Sequence, residues 1–276
     1  MSIRIIVDST ADLTPEVRDR VAVVPLTVHF GEEEFVDGVD ITGQQFYEKL
    51  ETSRVLPTTS QATPYAFSAA FGQAAADGEE VVAIVVSSRL SGTYQSALIA
   101  AEDYPGKVHV VDSRNIALGL AILTEYALHL ADEGRSAEEI VAMLEQKREQ
   151  VRLMAVVDTL EYLQRGGRLS KTAAVAGGLL SIKPVIGLVD GEIKVLAKGR
   201  GNKQANNLMN QEITKAGVDT TMPAMLGYTG TDNGLLRKYR EDCTGLWNEE
   251  VQESIVCGVV GTHAGPGAVA VAFFAK

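Results

Sequence analysis

The feature that most constrains the fold is a repeated pattern in the first half of the chain: a short apolar run, a small polar pair, and then a helix-forming segment. Three runs show it, namely Ile3–Val7 before Asp8-Ser9, Val81–Val86 before Ser87-Ser88, and Lys107–Val111 before Asp112-Ser113. Strands that alternate with helices form a parallel sheet covered by helices on both faces. Ligands of such sheets bind at the carboxyl ends of the strands. The pattern therefore predicts an α/β protein with an N-terminal three-layer α/β/α part and a polar rim.

The turn from Ser87 to Tyr94 is the most polar of these strand ends. It leads into a predicted helix, whose first N–H groups have no partners and favour an anion. Taken alone, the turn is better explained by Ser91 or Thr93 capping that helix. The hydroxyl-rich segment Thr58–Thr63 and the other strand ends together favour a binding site.

The pattern changes near Val151. The dipeptide Asp190-Gly191 separates Pro184–Val189 from Glu192–Lys198, and Asp-Gly between two strands is a strong hairpin signal. About six strands follow Leu153, with helices between them. We therefore expect two domains, residues 1–151 and 152–276, the second being α/β with a mixed six-stranded sheet.

His263 differs from the other histidines. We expect a tight loop over Gly261–Gly267 around it, where backbone can approach a ligand closely. His29, His109 and His129 fall inside predicted strands or a helix, where a structural role is expected. Because loops carry function more often than cores do, His263 is a candidate site residue, although a surface turn residue is the alternative.

Composition narrows the class of protein. The chain has 276 residues, 46% of them hydrophobic, and a formal net charge of −11. This acidity disfavours nucleic acid and anionic membrane surfaces as partners. The two cysteines, Cys243 and Cys257, fit no disulfide framework or zinc site. Neither a signal peptide nor a transmembrane segment is evident, so we expect a cytoplasmic protein.

Eight short motifs, in order along the chain, resemble the DegV family, the fatty-acid-binding subunits of bacterial fatty acid kinase. They are Val7-Asp8-Ser9, Thr59-Ser60-Gln61, Leu90-Ser91-Gly92-Thr93-Tyr94, Val111-Asp112-Ser113, Leu160-Glu161-Tyr162-Leu163, Gly166-Gly167-Arg168-Leu169-Ser170, Ile182-Lys183-Pro184, and His263 with Gly265-Pro266-Gly267. Each motif is weak, but the ordered set is specific. Ala62 departs from the pattern, since the family usually has proline there.

The resemblance implies two α/β domains with an acyl chain in a buried tunnel near their junction. It implies that Thr59, Ser91 and His263 bind the fatty-acid carboxylate, and that Arg200 is an exposed arginine near it. The remaining residues expected near the head group, facing the kinase, are Ser60, Gly92 and Thr93. Which of Ser88, Ser91 and Thr93 contacts the carboxylate stays open.

The implied function is that of a non-catalytic carrier without a cofactor or an ATP site. It presents a long-chain fatty acid to the catalytic subunit of fatty acid kinase, and the acyl phosphate passes to phospholipid synthesis, where an acyl-phosphate acyltransferase is a further possible partner. A chain with about 14 buried methylenes, at about 0.8 kcal/mol each, gains on the order of 11 kcal/mol before ordering costs. Candidate tunnel walls are Ala173–Leu180 and Pro184–Val189, although core packing explains both equally well.

Three other functions compete with this one. A Ser-His hydrolase acting on an acyl ester would use Ser91, His263 and an acid such as Asp8, but Ser91 has no Gly-x-Ser-x-Gly motif around it. A nucleotide or phosphosugar binder would need a longer glycine-rich motif than the chain has. A purely structural module does not explain the hydroxyl groups at the strand ends.

Overall fold

The computed structural model describes residues 2–169 and 181–276. The elements are β1 (Ile3–Asp8), α1 (Pro15–Arg18), β2 (Ala22–Val24), β3 (Thr27–Phe30), β4 (Glu33–Val36), α2 (Gly43–Thr52), β5 (Thr58–Ser60), α3 (Pro64–Ala76), β6 (Glu80–Val85), α4 (Thr93–Ala101), β7 (Val108–Asp112), α5 (Ala117–Asp132), α6 (Ala137–Lys147), a 3₁₀ turn (Arg148–Gln150), β8 (Val151–Val156), α7 (Glu161–Arg165), β9 (Ile182–Val189), β10 (Glu192–Arg200), α8 (Gly201–Ala216), β11 (Ala224–Tyr228), α9 (Gly234–Asp242), β12 (Gln252–Ile255), α10 (Gly258–Ala264) and β13 (Val269–Phe274). The candidate tunnel wall Ala173–Leu180 lies outside the described residues.

The first sheet is parallel and has the strand order β2-β1-β6-β7. Successive residues of a strand point to opposite faces. Ile5 and Val82 pack with α5 and α6 on one face, whereas Ile6 and Val81 pack with α3 and α4 on the other. This arrangement confirms the predicted three-layer α/β/α part.

A three-stranded antiparallel sheet, in the order β4-β3-β5, stands beside the parallel sheet. The sequence predicted a single strand over Val21–Phe30, and this prediction was wrong. The chain leaves β2 before Pro25 and enters a different sheet at β3, since proline has no N–H for a sheet ladder. The composition of the hydroxyl-rich segment Thr58–Thr63 suggests a loop, but the segment begins as a strand, because β5 pairs with β3 and places Thr59 opposite Val28.

The second large sheet is mixed and six-stranded, as predicted, in the order β10-β9-β8-β13-β11-β12. Its strand pairs are antiparallel except for β11 and β12. The predicted hairpin is confirmed: Asp190 and Gly191 have φ values of 53° and 77°, the left-handed conformation that a type I′ turn requires. The predicted boundary after residue 151 stays a prediction; β8 of this sheet begins at Val151.

The segment before β13 differs from expectation. A strand over Ser254–Val260 and a loop over Gly261–Gly267 were expected, but β12 ends at Ile255 and α10 occupies Gly258–Ala264. β-Branched residues suggested a strand, whereas packing decides for a helix: Gly258 lies against Phe46, where a Cβ would be only 3.1 Å from the ring. Gly265, with φ 72°, ends the helix.

Helix α5 lies between the parallel and the mixed sheet. Of its 16 residues, 12 are buried, and Leu118 belongs to one continuous core together with Val7 of β1 and Ala272 of β13. The two large sheets therefore share a hydrophobic core. In residues 2–169 and 181–276, no helix is both long and apolar enough to cross a membrane.

Candidate functional site

A cavity of about 380 Å³ lies between the carboxyl ends of the parallel strands, one face of the mixed sheet and α10. This volume falls within the range of small-molecule sites. Most of its described lining is apolar, including Leu153, Ile186 and Ala270. We call the following group of lining side chains the polar end of the cavity: Thr59, Gln61, Ser91, Arg168 and His263.

Two further lining hydroxyls are used for structure. Thr10 Oγ1 donates to Asp8, and Thr229 Oγ1 accepts a hydrogen bond from the Ala268 amide. Ser60 Oγ is also bonded to His29, and the Gln61 amide donates to Ser96. The polar lining groups that remain for a ligand are therefore Thr59, Ser91, Arg168 and His263.

His263 stands in the last turn of α10 and meets a residue 204 positions away. Its Nε2 is 2.9 Å from Thr59 Oγ1, whereas Nδ1 is buried without a hydrogen-bond partner among the described residues. Burial, with a smaller contribution from Arg168, lowers the pKa of His263 to about 4. The imidazole is therefore neutral at pH 7, and the ring nitrogen that it offers at the polar end is Nε2, beside Thr59.

Gly166 makes the position of His263 possible. A Cβ at this glycine would overlap His263 Nδ1. Because the φ of Gly166 is −73°, an ordinary value, close approach rather than backbone conformation explains the glycine.

Ser91 lines the cavity and is held locally. Its Oγ is 2.9 Å from Thr93 Oγ1 and accepts a hydrogen bond from the Thr93 amide. The predicted capping is confirmed only in part: Gly92, not Ser91 or Thr93, is the N-cap residue of α4, but Ser91 Oγ binds the first amide of the helix.

Thr93 is fully buried, is not part of the cavity lining, and accepts a hydrogen bond from the Ala62 amide. It therefore joins the loop after β5 to the start of α4. Gly92 lies directly against Gln61, because a Cβ there would overlap the Gln61 amide.

The other predicted residues occupy the edge of the site or lie away from it. Ser60 contributes to the lining, and its Oγ is 2.7 Å from His29 Nε2. Ser88 is exposed and donates to Asp112. Arg200 is exposed at the end of β10 and is not part of the cavity lining. Its role near the head group stays a prediction.

Arg168 is the residue that sequence reasoning missed, although it stands in the motif Gly166-Gly167-Arg168. It is the only lysine or arginine among the described lining residues. Its Nε and Nη1 donate to the carbonyls of Leu90 and Gly166. The cavity thus contains a guanidinium group, a strong partner for a carboxylate.

The strand-end acids, by contrast, have structural partners. Asp8 accepts hydrogen bonds from Thr10 and from the Val86 amide, and Asp112 accepts them from Ser88 and Arg114. Each carboxylate fixes the loops around its strand end, as ordinary turn residues do. Only part of the predicted polar rim therefore faces the cavity.

Known proteins share this sequence pattern and this architecture. A family model described as "Uncharacterised protein, DegV family" matches residues 2–276. The chain belongs to the DegV family. A DegV domain-containing protein of Caldanaerobacter subterraneus is 36% identical over 99% of both chains, and one of Deinococcus radiodurans is 36% identical over 99% of this chain and 98% of its own.

Solved structures of DegV proteins share the whole fold. A fatty-acid-binding DegV protein of Thermus thermophilus is 32% identical, with a TM-score of 0.90 over 100% of both chains. A DegV protein of Eubacterium eligens, loaded with heptadecanoic acid, is 25% identical, with a TM-score of 0.86 over 100% of both chains. The B3 protein of Streptococcus pneumoniae fatty acid kinase, loaded with linoleic acid, shares the fold at 24% identity, a TM-score of 0.86 and 100% coverage of both chains.

The DegV cavity does not assemble the hydrolase triad that the sequence left open. Ser91 Oγ bonds to Thr93, and His263 bonds to Thr59. Asp8 is occupied by Thr10 and Val86. Among the described residues, no group of three or more His, Cys, Asp or Glu could hold a metal ion.

Proposed function

We propose that this protein binds one long-chain fatty acid, with the carboxylate at the polar end and the acyl chain along the apolar lining. The observation that supports this most directly is the position of Thr59, Ser91, His263 and Arg168 at one apolar cavity. The Thermus and Eubacterium relatives bind fatty acids. The similarity of these two relatives to this chain covers its full length.

The chemistry of the polar end suits a carboxylate. A carboxylate that leaves water must be hydrogen-bonded or paired. Thr59 and Ser91 supply hydroxyl donors, the neutral His263 supplies a ring nitrogen, and Arg168 supplies a positive charge. Because the acyl chain contributes most of the affinity, the head group needs only to be satisfied.

The apolar part suits the chain. Strands β8 and β9 contribute Leu153, Ala155 and Ile186 to the lining, so the predicted wall at Pro184–Val189 faces the cavity in part. We infer that the acyl chain lies along this face of the mixed sheet, near the junction of the two expected domains.

We further propose that the bound acid is presented to a separate ATP-dependent kinase in the cytoplasm. The protein then carries the acyl phosphate towards phospholipid synthesis, without a catalytic site of its own. The fold likeness to the kinase-associated protein of S. pneumoniae supports this partnership. Ser60 and Gly92 are exposed at the edge of the polar end, where a partner can reach the head group, and we retain Arg200 as a kinase-facing residue.

Mass spectrometry of the purified protein tests the binding. Protein from a bacterial host should release about one equivalent of fatty acid on denaturation, as a one-site carrier requires. Ser91→Ala should weaken binding of added oleate, whereas Ser88→Ala is the matched control, because Ser88 lies outside the lining. Absence of endogenous lipid, together with no binding of added fatty acid, would contradict the proposal.

A further inference from the structure

Two buried carboxylates meet the beginning of α10. Asp12, after β1, is 4% exposed and Asp37, after β4, is 2% exposed. Asp12 Oδ1 accepts a hydrogen bond of 2.8 Å from the Cys257 amide, and Asp37 Oδ1 accepts one of 3.1 Å from the Gly258 amide. The first amides of a helix have no partners inside it. Because α10 has no side-chain cap of its own, these two distant acids supply the partners.

The second oxygen of each carboxylate is left without a close hydrogen-bond donor in the part of the chain that the structure describes. Asp12 Oδ2, Asp37 Oδ2 and Tyr47 Oη are buried without hydrogen bonds to the described residues. Two such carboxylates close together cannot both remain charged at low cost. A proton bound to this pair would relieve the repulsion and give one free oxygen a donor.

The surroundings favour this proton. Burial raises the pKa of Asp12 to about 8, against the Cys257 amide, and Asp37 raises it further. Burial also raises the pKa of Asp37 to about 6, and the hydrogen bond from the Gly258 amide opposes this shift only in part.

The groups that face the pair come from several elements. Tyr47 lies on α2 and Cys257 precedes α10, and burial raises the pKa of both. Tyr228 of β11 also acts on Tyr47. The guanidinium of Arg18 reaches the carbonyl of Gly38, next to Asp37, at 3.4 Å.

The position of the first turn of α10 also fixes the position of His263 at the polar end, because one short helix contains both. It has only seven residues, and a Cβ at Gly261 would meet Tyr47 Oη and Phe46. The helix is therefore packed closely on α2. His263 follows Gly258 by little more than one helical turn, so a shift of the first turn moves the imidazole relative to Thr59.

We propose that Asp12 and Asp37 are positioning residues that hold α10, and with it His263, at the polar end, and that the pair keeps a proton at neutral pH. The part of this inference that concerns ligand affinity rests on the proposed fatty-acid binding. The part that concerns the placement of His263 does not.

Substitutions at Asp12 separate charge from hydrogen bonding. Asp12→Asn keeps an acceptor for the Cys257 amide and resembles the protonated acid, so oleate affinity should stay within about twofold of wild type. Asp12→Ala leaves that amide unpaired, and affinity should fall about tenfold. The same contrast is expected at Asp37, which accepts from the Gly258 amide: Asp37→Asn should keep the affinity for oleate, and Asp37→Ala should lower it. Where an alanine variant does not fold, the pH dependence of oleate binding in the asparagine variant still tests the proposal.

The pH dependence gives a readout that a merely structural role would not change. Wild-type affinity should fall as the pH rises above about 8, where Asp12 loses its proton, and Asp12→Asn should remove this inflection. The matched control is Asp112→Asn, because Asp112 bonds to Ser88 and Arg114, and neither of these residues lines the cavity. It should keep the wild-type inflection.

The imidazole NMR signals of His263, recorded without added lipid, separate this inference from the proposed function. Both alanine variants should shift these signals, whereas the asparagine variants at pH 7 should not. Unchanged His263 signals in Asp12→Ala and Asp37→Ala would overturn the inference, as would an inflection near pH 8 that persists in Asp12→Asn. Shifted signals in a protein that binds no fatty acid would support the positioning role and contradict only the proposed function.

Discussion

At the scale of single residues, the polar end depends on one contact between distant parts of the chain. Thr59 on β5 and His263 on α10 meet at 2.9 Å. Arg168 adds the positive charge and, after burial, is the second cause of the lowered pKa of His263. A neutral imidazole beside a guanidinium leaves the arginine as the charged partner for an acid.

Arg168→Gln tests this division of roles. The variant should bind oleate about tenfold more weakly, because a charged hydrogen bond is lost, but should bind oleyl alcohol as well as wild type does. Displacement of a fluorescent fatty acid measures both affinities. Arg165→Gln is the matched control, since Arg165 is exposed on α7 and pairs with Glu161. An equal loss of affinity for acid and alcohol would show that Arg168 acts through packing.

The sequence revealed some of these residues and not others. Thr59, Ser91 and His263 were found because they stand in short motifs, and the structure places all three at the cavity. Arg168 was missed although its motif was recognised, since nothing local shows that its side chain faces the cavity. Asp12 and Asp37 were missed because their relation to α10 exists only after folding.

At the scale of elements, local patterns predicted what local forces decide. The alternating strands and helices and the Asp190-Gly191 hairpin both follow from short-range chemistry. Helix α10 does not, because its glycines and β-branched residues are poor helix formers. Packing on Phe46 and Tyr47 selects the helix, and a single sequence does not show that packing.

The contact between α7 and α10 gives a paired prediction. Gly166→Ala should weaken oleate binding about tenfold, because its methyl group displaces the His263 ring from Thr59. Gly167→Ala meets open space but has φ 73°, so it should cost about 1 kcal/mol of stability and leave affinity unchanged. Titration calorimetry and urea unfolding measure the two effects. The reverse pattern would mean that backbone conformation, rather than close approach, explains Gly166.

At the scale of the whole molecule, buried titratable groups link stability to pH. The pKa of His263 is lowered from 6.5 to about 4. Between these two pH values the unfolded chain binds a proton at this residue and the folded chain does not. The stability that the neutral His263 contributes is therefore lost as the pH falls from the ordinary histidine pKa towards 4. Asp12 has the opposite sign: its pKa is raised to about 8, so stability falls as the pH rises from about 4 to 8.

His263→Gln should flatten the acid side of this profile. Between pH 7 and pH 5, the unfolding free energy of the variant should fall by about 2 kcal/mol less than that of wild type. Urea unfolding at both pH values, with the lipid removed, checks this. The matched control is His129→Gln, on the exposed side of α5, which should follow the wild-type curve. A wild-type profile in His263→Gln would mean that the imidazole is already charged in the folded protein.

The position of α5 limits how the proposed lipid can reach the cavity. This helix gives its apolar surface to the parallel sheet and to the mixed sheet at once, so separating the two sheets would expose a core of many leucine, isoleucine and valine side chains to water. Such a hinge motion costs far more than thermal energy supplies. Any route of entry and exit for the proposed lipid therefore leaves α5 and both sheets in place.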